Sequence, residues 1–581
     1  MIWKGCEDLM DERLKGIPIG VDDFKTIIEE DGYFVDKSMF IKEIIDDFSS
    51  VKLITRPRRF GKTLNLSMLK YYFEKSDEDN SILFKGLRIW QQGETYRTEQ
   101  GRYPVAAINL KDVKYDNYDY CIERIKILMA AEYLRHDYIL KSDKIKDEDR
   151  QQFKAISSRM ASEVELSNSI GLLTRLLQEF HGEKVIVLID EYDTPINHGF
   201  IRGYYEKIID FMKVFLGTAL KTNSNLRMGV ITGIYRVAKE SIFSDMNNLD
   251  SSSVTTNTYV DRFGFTESEV EVILSYYKLD YKIDEVKNWY NGYIFGNNTV
   301  IYNPWSIINY AKYKNLQPYW VNTSSNDLIR DVLFKTDSSV KQKLGLLIEG
   351  KGIEDVIIDT SINFRNIMGV KVLNEEVLWN FLIVSGYLKV QNLRIEGRRT
   401  KAGIKIPNVE ILTLYEDMVI KWFEVDDVSS NMIRVMLDYL VNGRIKEFEK
   451  HFRYLVSKTF SYFDVGMNVA ENFYHAFTLG LLVNLDGKYT VLSNRESGNG
   501  RPDVIVTPKD TSKKGIVIEF KTVEHFDDEA MKNGVEEALD QIEARNYADE
   551  LKYAGVKEVI KAGIAFCGKE VSLGYRQEVF F

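Results

Sequence analysis

Two sets of residues in this chain have the types and spacing of chemistry performed on phosphate. The first is Gly61-Lys62-Thr63, with Asp190-Glu191 far downstream; the second is Asp503 with Glu519 and Lys521. Gly-Lys-Thr opening a helix is a phosphate grip: Gly61 lets the backbone approach, Lys62 would reach the outer phosphates, and the Thr63 hydroxyl would hold Mg²⁺. Asp190, at the carboxyl end of an apolar run, could hold the same ion through water, which leaves Glu191 placed to polarise an attacking water. In the second set, Asp503 and Glu519 would supply carboxylate ligands to Mg²⁺, with Mn²⁺ as an alternative. Such a metal polarises a phosphoryl oxygen and lowers the pKa of bound water, and Lys521 would orient that water and stabilise developing charge. Glu471, in VAENFYHAFTLGLL, could complete the metal site from a helix. Gln541 and Tyr547, in ALDQIEARNY, could face the same cleft from another.

The elements that must position these residues are legible in the apolar pattern. Val51, Leu53 and Ile54 read as a short buried strand and Pro57 breaks it. Leu64, Met68, Leu69 and Phe73 then fall on one face of a helix. That order aims loop amides and the positive helix end at an anion. VIVLI before Asp190 suits the middle of a parallel sheet buried on both faces. LRMGVIT at 226–232 reads as another such strand, and Thr232 and Arg236 at its end are candidates to sense an outer phosphate. Strands alternating with helices predict a doubly wound, mostly parallel sheet. Near the carboxyl end, YTVLS, PDVIVTP and GIVIEFKTV read as strands. Alternation in the last puts Glu519 and Lys521 on one side, where charge is costly unless used. An ion pair between them on an exposed edge is the plainer alternative. Tyr33 and Lys37 could touch a base or simply pack as a strand edge.

Composition bounds the rest. A length of 581 residues implies three or four domains, and 44% hydrophobic, 28% charged and 9 prolines describe a globular chain without a long disordered linker. A net charge of −10 gives no whole-molecule nucleic-acid footprint, so any such contact must come from local basic patches such as RIEGRRTKAGIK at 394–405. Cys6, Cys121 and Cys567 fit a reduced, cytoplasmic compartment without a disulfide framework, and 6 scattered histidines disfavour a zinc cluster. The amino terminus carries acids where a secretion signal would be apolar, and no run reaches the ~18 apolar residues of a membrane helix.

VDKS at 35–38, RPRRFGKT at 56–63, LIDEYDTPI at 188–196, YVDRFGF at 259–265, WYNGYIFG at 289–296 and IYNPWSI at 301–307 together resemble a bacterial and archaeal family. Its members are AAA-ATPase-like proteins with a C-terminal PD-(D/E)XK nuclease domain. Pro502-Asp503, Glu519-Phe520-Lys521 and Gln541 resemble the nuclease signature. The resemblance implies an α/β chain: a P-loop NTPase parallel sheet with a helical lid and a winged-helix-like region, followed by an α/β PD-(D/E)XK nuclease fold. The boundaries expected are 1–265 for the ATPase core, 266–370 for the lid, 371–450 for the winged-helix-like region and 451–581 for the nuclease. In that family arginine replaces the first loop glycine, and Arg56, Arg58 and Arg59 could supply anion-binding donors. Carried over by residue, Asp503, Glu519 and Lys521 are catalytic, with Glu471 and Gln541 supporting. The implied cofactors are ATP and Mg²⁺, and the implied partner is nucleic acid, DNA ahead of RNA, with no membrane and with self-association open. A nucleotide-dependent scaffold whose nuclease-like domain only binds is the rival class.

Overall fold

A computed structural model describes residues 14–221, 223–237, 242–243, 246–323, 329, 332–333, 338–348, 350–362, 374–422, 430–462, 478, 481–482, 485, 487–493, 502–523, 525–568 and 570–580. The first half is built on strands β1 (Val51–Thr55), β2 (Val105–Asn109), β3 (Val185–Asp190), β4 (Leu226–Gly233), β5 (Arg236–Val237) and β6 (Leu249–Ser252). Five of them form one sheet in the order β2-β3-β4-β1-β6, and every pairing in it is parallel. Helices cover both faces, so β1 and β3 are buried at every residue. The one cation within β1, Lys52, bends back to the carbonyls of Asp47 and Ser49 at 3.0 and 2.5 Å. Parallel register brings all carboxyl ends to one edge, where Asp190 lies beside Asn109 of β2 and Thr232 of β4. Pro57 ends β1, and Gly61, at φ 83°, lets the chain turn into the helix Lys62–Phe73.

The middle of the chain packs against this edge. Strands β7 (Phe265–Thr266), β8 (Tyr293–Phe295) and β9 (Thr299–Tyr302) form a small antiparallel sheet among the helices Glu267–Tyr276, Ile283–Tyr290 and Pro304–Tyr313. Its aromatic run is core: Tyr290, Tyr302 and Tyr310 are fully buried together. Next come β10 (Ile353–Ile357), β11 (Ser361–Ile362), β12 (Lys389–Glu396) and β13 (Arg399–Lys405), with helices Glu375–Ser385 and Val409–Trp422. β10, β13 and β12 make one antiparallel sheet, whereas β11 pairs in parallel with β5 and so ties this region to the first sheet. In the basic hairpin β12–β13, Arg394 bonds Asp355 and Lys401 lies 3.0 Å from Glu396, so part of its charge is balanced locally.

The last sheet has the order β14 (Tyr489–Ser493), β15 (Val504–Pro508), β16 (Gly515–Thr522), β17 (Glu558–Cys567), β18 (Glu570–Val579). Only β16 and β17 run parallel. Period-two alternation sorts β16: Ile516, Ile518 and Phe520 join the main core with Phe452, while Val517, Glu519 and Lys521 take the opposite face. That face is covered by the helix Asp528–Ala544. Among the described residues no helix is long and apolar enough to cross a membrane.

Candidate functional site

The loop from Arg58 to Gly61 borders a cavity of about 470 Å³. One end is apolar, with Tyr33, Val35, Phe265 and Trp305. The other gathers Gly61, Lys62 and Thr63 with Arg58, Lys111, Lys114 and Glu191. Lys62 is nearly buried and is oriented by the carbonyls of Arg56 and Pro57, each at 3.1 Å, with Glu191 Oε1 at 3.4 Å. Thr63 Oγ1 donates to Asp190 Oδ2 at 2.7 Å, and Asn109 Nδ2 donates to the same oxygen at 2.8 Å. Thr232 Oγ1 donates to the other oxygen, Oδ1. Asp190 is thus gripped from the two neighbouring strands and a helix. Burial first, then neighbouring Glu191, hold its carboxyl above the usual range. Burial pushes Glu191 the same way, but Lys62 and then Arg58 outweigh it and leave Glu191 below its ordinary value, an anion beside the grip. The backbone of Glu191 at φ 53° turns this carboxylate off the strand and toward the loop.

Several expectations change. Arg56 is fully buried and does not line the cavity. Its guanidinium donates to the carbonyls of Thr55 and Ser252 at 2.9 and 3.2 Å and to Ser252 Oγ and the Thr258 carbonyl at 3.1 Å, and it lies over the rings of Phe263 and Phe295. Burial brings its pKa down to about 9. Arg56 therefore fastens β1 to the 252–259 segment instead of offering donors to an anion. Arg59 does border the cavity, at φ 66°, with its guanidinium 4.2 Å from the Trp305 ring centroid. Thr232 touches Asp190, not the cavity, and acts on the site through that carboxylate. Arg236 sits in β5 against Ser361, and Ile234 and Tyr235 take the cavity wall in its place. Lys37 is committed to Glu269 at 2.6 Å and to the Asp261 carbonyl at 2.7 Å.

Residue-level reading missed Asn109, although a polar residue closing a buried strand level with Asp190 is a usable signal. It also missed Asp193, whose Oδ2 accepts from the amides of Ile234 and Tyr235 at 2.8 and 2.9 Å. Burial, then Glu191, raise the Asp193 carboxyl to about 6.

In the last sheet, Asp503 and Glu519 come from adjacent strands and interlock. Phe520 N donates to Asp503 Oδ2 at 2.8 Å, and Asp503 N to Glu519 Oε2 at 3.3 Å. Lys521 Nζ donates to Gln541 Oε1 at 2.8 Å, and Gln541 Nε2 donates to Glu519 Oε1. Asp503, Glu519, Lys521 and Gln541 therefore share one hollow. Glu471 lies outside the described residues. Tyr547 lies beyond the end of the helix at Ala544 and is buried with Ile505 and Val517. Among the described residues no group of three or more metal-ligating side chains occurs, and the carboxylates present here are Asp503 and Glu519. Both are hard oxygen donors, which fit Mg²⁺ or Mn²⁺ bound with several waters.

A loop-and-lysine cavity at the carboxyl edge of a parallel sheet defines a P-loop type of protein, and the carboxylate–lysine hollow adds a second centre. Residues 18–243 match the AAA-ATPase-like family model, described as a predicted AAA-ATPase, and residues 469–575 match the PD-(D/E)XK nuclease superfamily. The chain thus joins an AAA-ATPase-like domain to a C-terminal PD-(D/E)XK superfamily domain. An uncharacterized protein in the vnfD 5′ region of Azotobacter chroococcum mcd 1 is 26% identical over 411 residues, 70% of each chain.

Proposed function

We propose that this protein binds and hydrolyses ATP with Mg²⁺ and that its C-terminal domain cuts phosphodiester bonds in nucleic acid, DNA ahead of RNA, with Mg²⁺ or Mn²⁺. The observation that carries the first half is the contact of Thr63 with Asp190 beside the Lys62–Glu191 pair, at the polar end of a cavity whose other end is apolar. A bound Mg²⁺ would neutralise phosphate charge there, held by Thr63 and Asp190. Lys62 and Arg58 bind the outer phosphates, Arg59 flanks them, and Glu191, an anion against Lys62, orients the attacking water and accepts its proton. Tyr33 and Trp305 suit the faces of a base.

The second half rests on the convergence of Asp503, Glu519, Lys521 and Gln541 in one hollow. Asp503 and Glu519 would hold the metal, Lys521 stabilises charge on the phosphoryl oxygens, and Gln541 fixes both Lys521 and Glu519. The two centres work in one process in which nucleotide state governs access of nucleic acid to that hollow, in defence against foreign DNA or upkeep of a mobile element. The test is phosphate release and Mg²⁺-dependent cleavage of single- and double-stranded DNA and RNA by the parent, Lys62→Ala and Lys521→Ala chains. Cleavage by Lys521→Ala at the parent rate would overturn the nuclease assignment, and equal phosphate release by Lys62→Ala would overturn the ATPase one.

A further inference from the structure

A second cavity, of about 500 Å³, lies between the helix Ile283–Tyr290 and the base of the β12–β13 hairpin, apart from both centres. Its polar wall carries Lys287, Lys389, Lys405, Asn288, Asn291 and Asn408, and among the described residues no aspartate or glutamate lines it. Lys287 is balanced by Glu267 at 2.8 Å. Lys389 and Lys405 are different: they face each other as a cross-strand pair, and among the described residues neither has a carboxylate within ion-pair distance. Among the described residues the Lys389 ammonium has only the Pro407 carbonyl, at 3.3 Å. Burial, and then the charge of Lys405, depress the Lys389 pKa. Beside them, Asn408 Oδ1 accepts from Ile411 N at 3.0 Å, and among the described residues its buried amide nitrogen has no acceptor. The buried side-chain oxygen of Asn291 likewise has no donor among the described residues.

Like charges placed opposite each other and orphaned buried polar atoms are each destabilising. One anion relieves the like charges and the Asn408 amide, because it neutralises the lysine pair and accepts from Asn408. Ile294, Leu347 and Leu412 make the other wall apolar, and the volume lies within the range of small-molecule sites. We propose that this cavity binds a small phosphorylated molecule, its phosphate between Lys389 and Lys405 and its less polar body against Ile294, Leu347 and Leu412. Asn408 stands two residues before Glu410, whose carboxylate accepts from Trp320 N at 2.6 Å, and Trp320 Nε1 donates to the Arg58 carbonyl at 3.1 Å. Occupancy is therefore positioned to bear on the nucleotide loop.

The experiment is competitive acetylation of the full-length protein, read at Lys389 by mass spectrometry, with inorganic pyrophosphate as the probe and sodium chloride matching ionic strength. Labelling of Lys389 should fall about tenfold at ten times the dissociation constant of pyrophosphate. Labelling of exposed Lys532 should stay level. Protection should vanish in Lys405→Gln, with melting temperature as the control for folding, and should persist in Lys62→Ala. Equal labelling of Lys389 with and without pyrophosphate overturns the proposal, as does protection that survives Lys405→Gln or disappears in Lys62→Ala. None of these readouts depends on ATP hydrolysis or cleavage, so failure here and failure of the functional proposal are separable.

Discussion

The two centres are assembled at different ranges. The hollow of Asp503, Glu519 and Lys521 is made by one pair of adjacent antiparallel strands and the next helix, so its geometry follows from a single hairpin register. The nucleotide cavity draws on β2, β3, β4 and the helix Lys62–Phe73 for Asp190 alone, and its loop is braced from much later in the chain. Pro57 meets Gly386, Phe60 is packed on Tyr293 and Phe295, and Trp320 donates to Arg58. A locally made site carries its own precision, whereas a remotely braced one can be tuned by whatever moves the brace.

The sharpest break of that comparison is Glu191→Gln, which should lower phosphate release about 10³-fold while ATP still binds and cleavage chemistry at the other hollow is intact. Lys521→Ala should do the converse, reducing cleavage about 10²- to 10³-fold with phosphate release unchanged. Steady-state assays of both activities on each variant decide whether the centres are chemically independent.

The brace itself is tested by pH. Burial raises the Glu410 carboxyl from 4.5 to about 7, against hydrogen bonds from Ser306 and the Trp320 amide. The unfolded chain releases this proton near 4.5 and the folded chain only near 7, so the folded state binds more protons between them and loses stability as pH rises through that window. Glu410→Gln, a mimic of the protonated acid, should remove about 3 kcal/mol of this slope in denaturant melts compared at pH 5 and pH 8.

Arg56→Met should cost about 2 kcal/mol of stability, because the carbonyls of Ser252 and Thr258 lose their donor, yet leave ATP affinity nearly unchanged. Arg59→Ala should show the smaller, opposite pattern, an affinity loss of about fivefold with little change in melting temperature.

Those last two variants mark where sequence reading stops. The strand, loop and helix from Val51 to Phe73 and the buried VIVLID strand are legible because apolar period, Pro57 and Gly61 are local signals. Which loop arginine faces the cavity is not local: Arg56 turns inward because Ser252 and Thr258 offer carbonyls some two hundred residues away. Alternation in GIVIEFKT places Glu519 and Lys521 on one face, and the fourth member, Gln541, follows from helix phase. Tyr547 looked equivalent to Gln541, but the helix ends at Ala544 and the chain turns at Asn546, φ 55°, into the core. Glu410 carried no signal at all, since its partners at Ser306 and Trp320 are a matter of tertiary packing.

The carbonyl of Arg58 accepts from Trp320 Nε1 and, at 3.5 Å, from Asn303 Nδ2, both contributed by chain well past the first parallel sheet. A fragment cut after that sheet would keep every residue of the phosphate grip but none of the side chains that hold its peptide plane. Excision of the amino-terminal half is thus expected to yield a fold with a slack loop, and the smallest piece able to hold nucleotide firmly extends past Trp320 to Glu410, whose carboxylate holds the Trp320 amide.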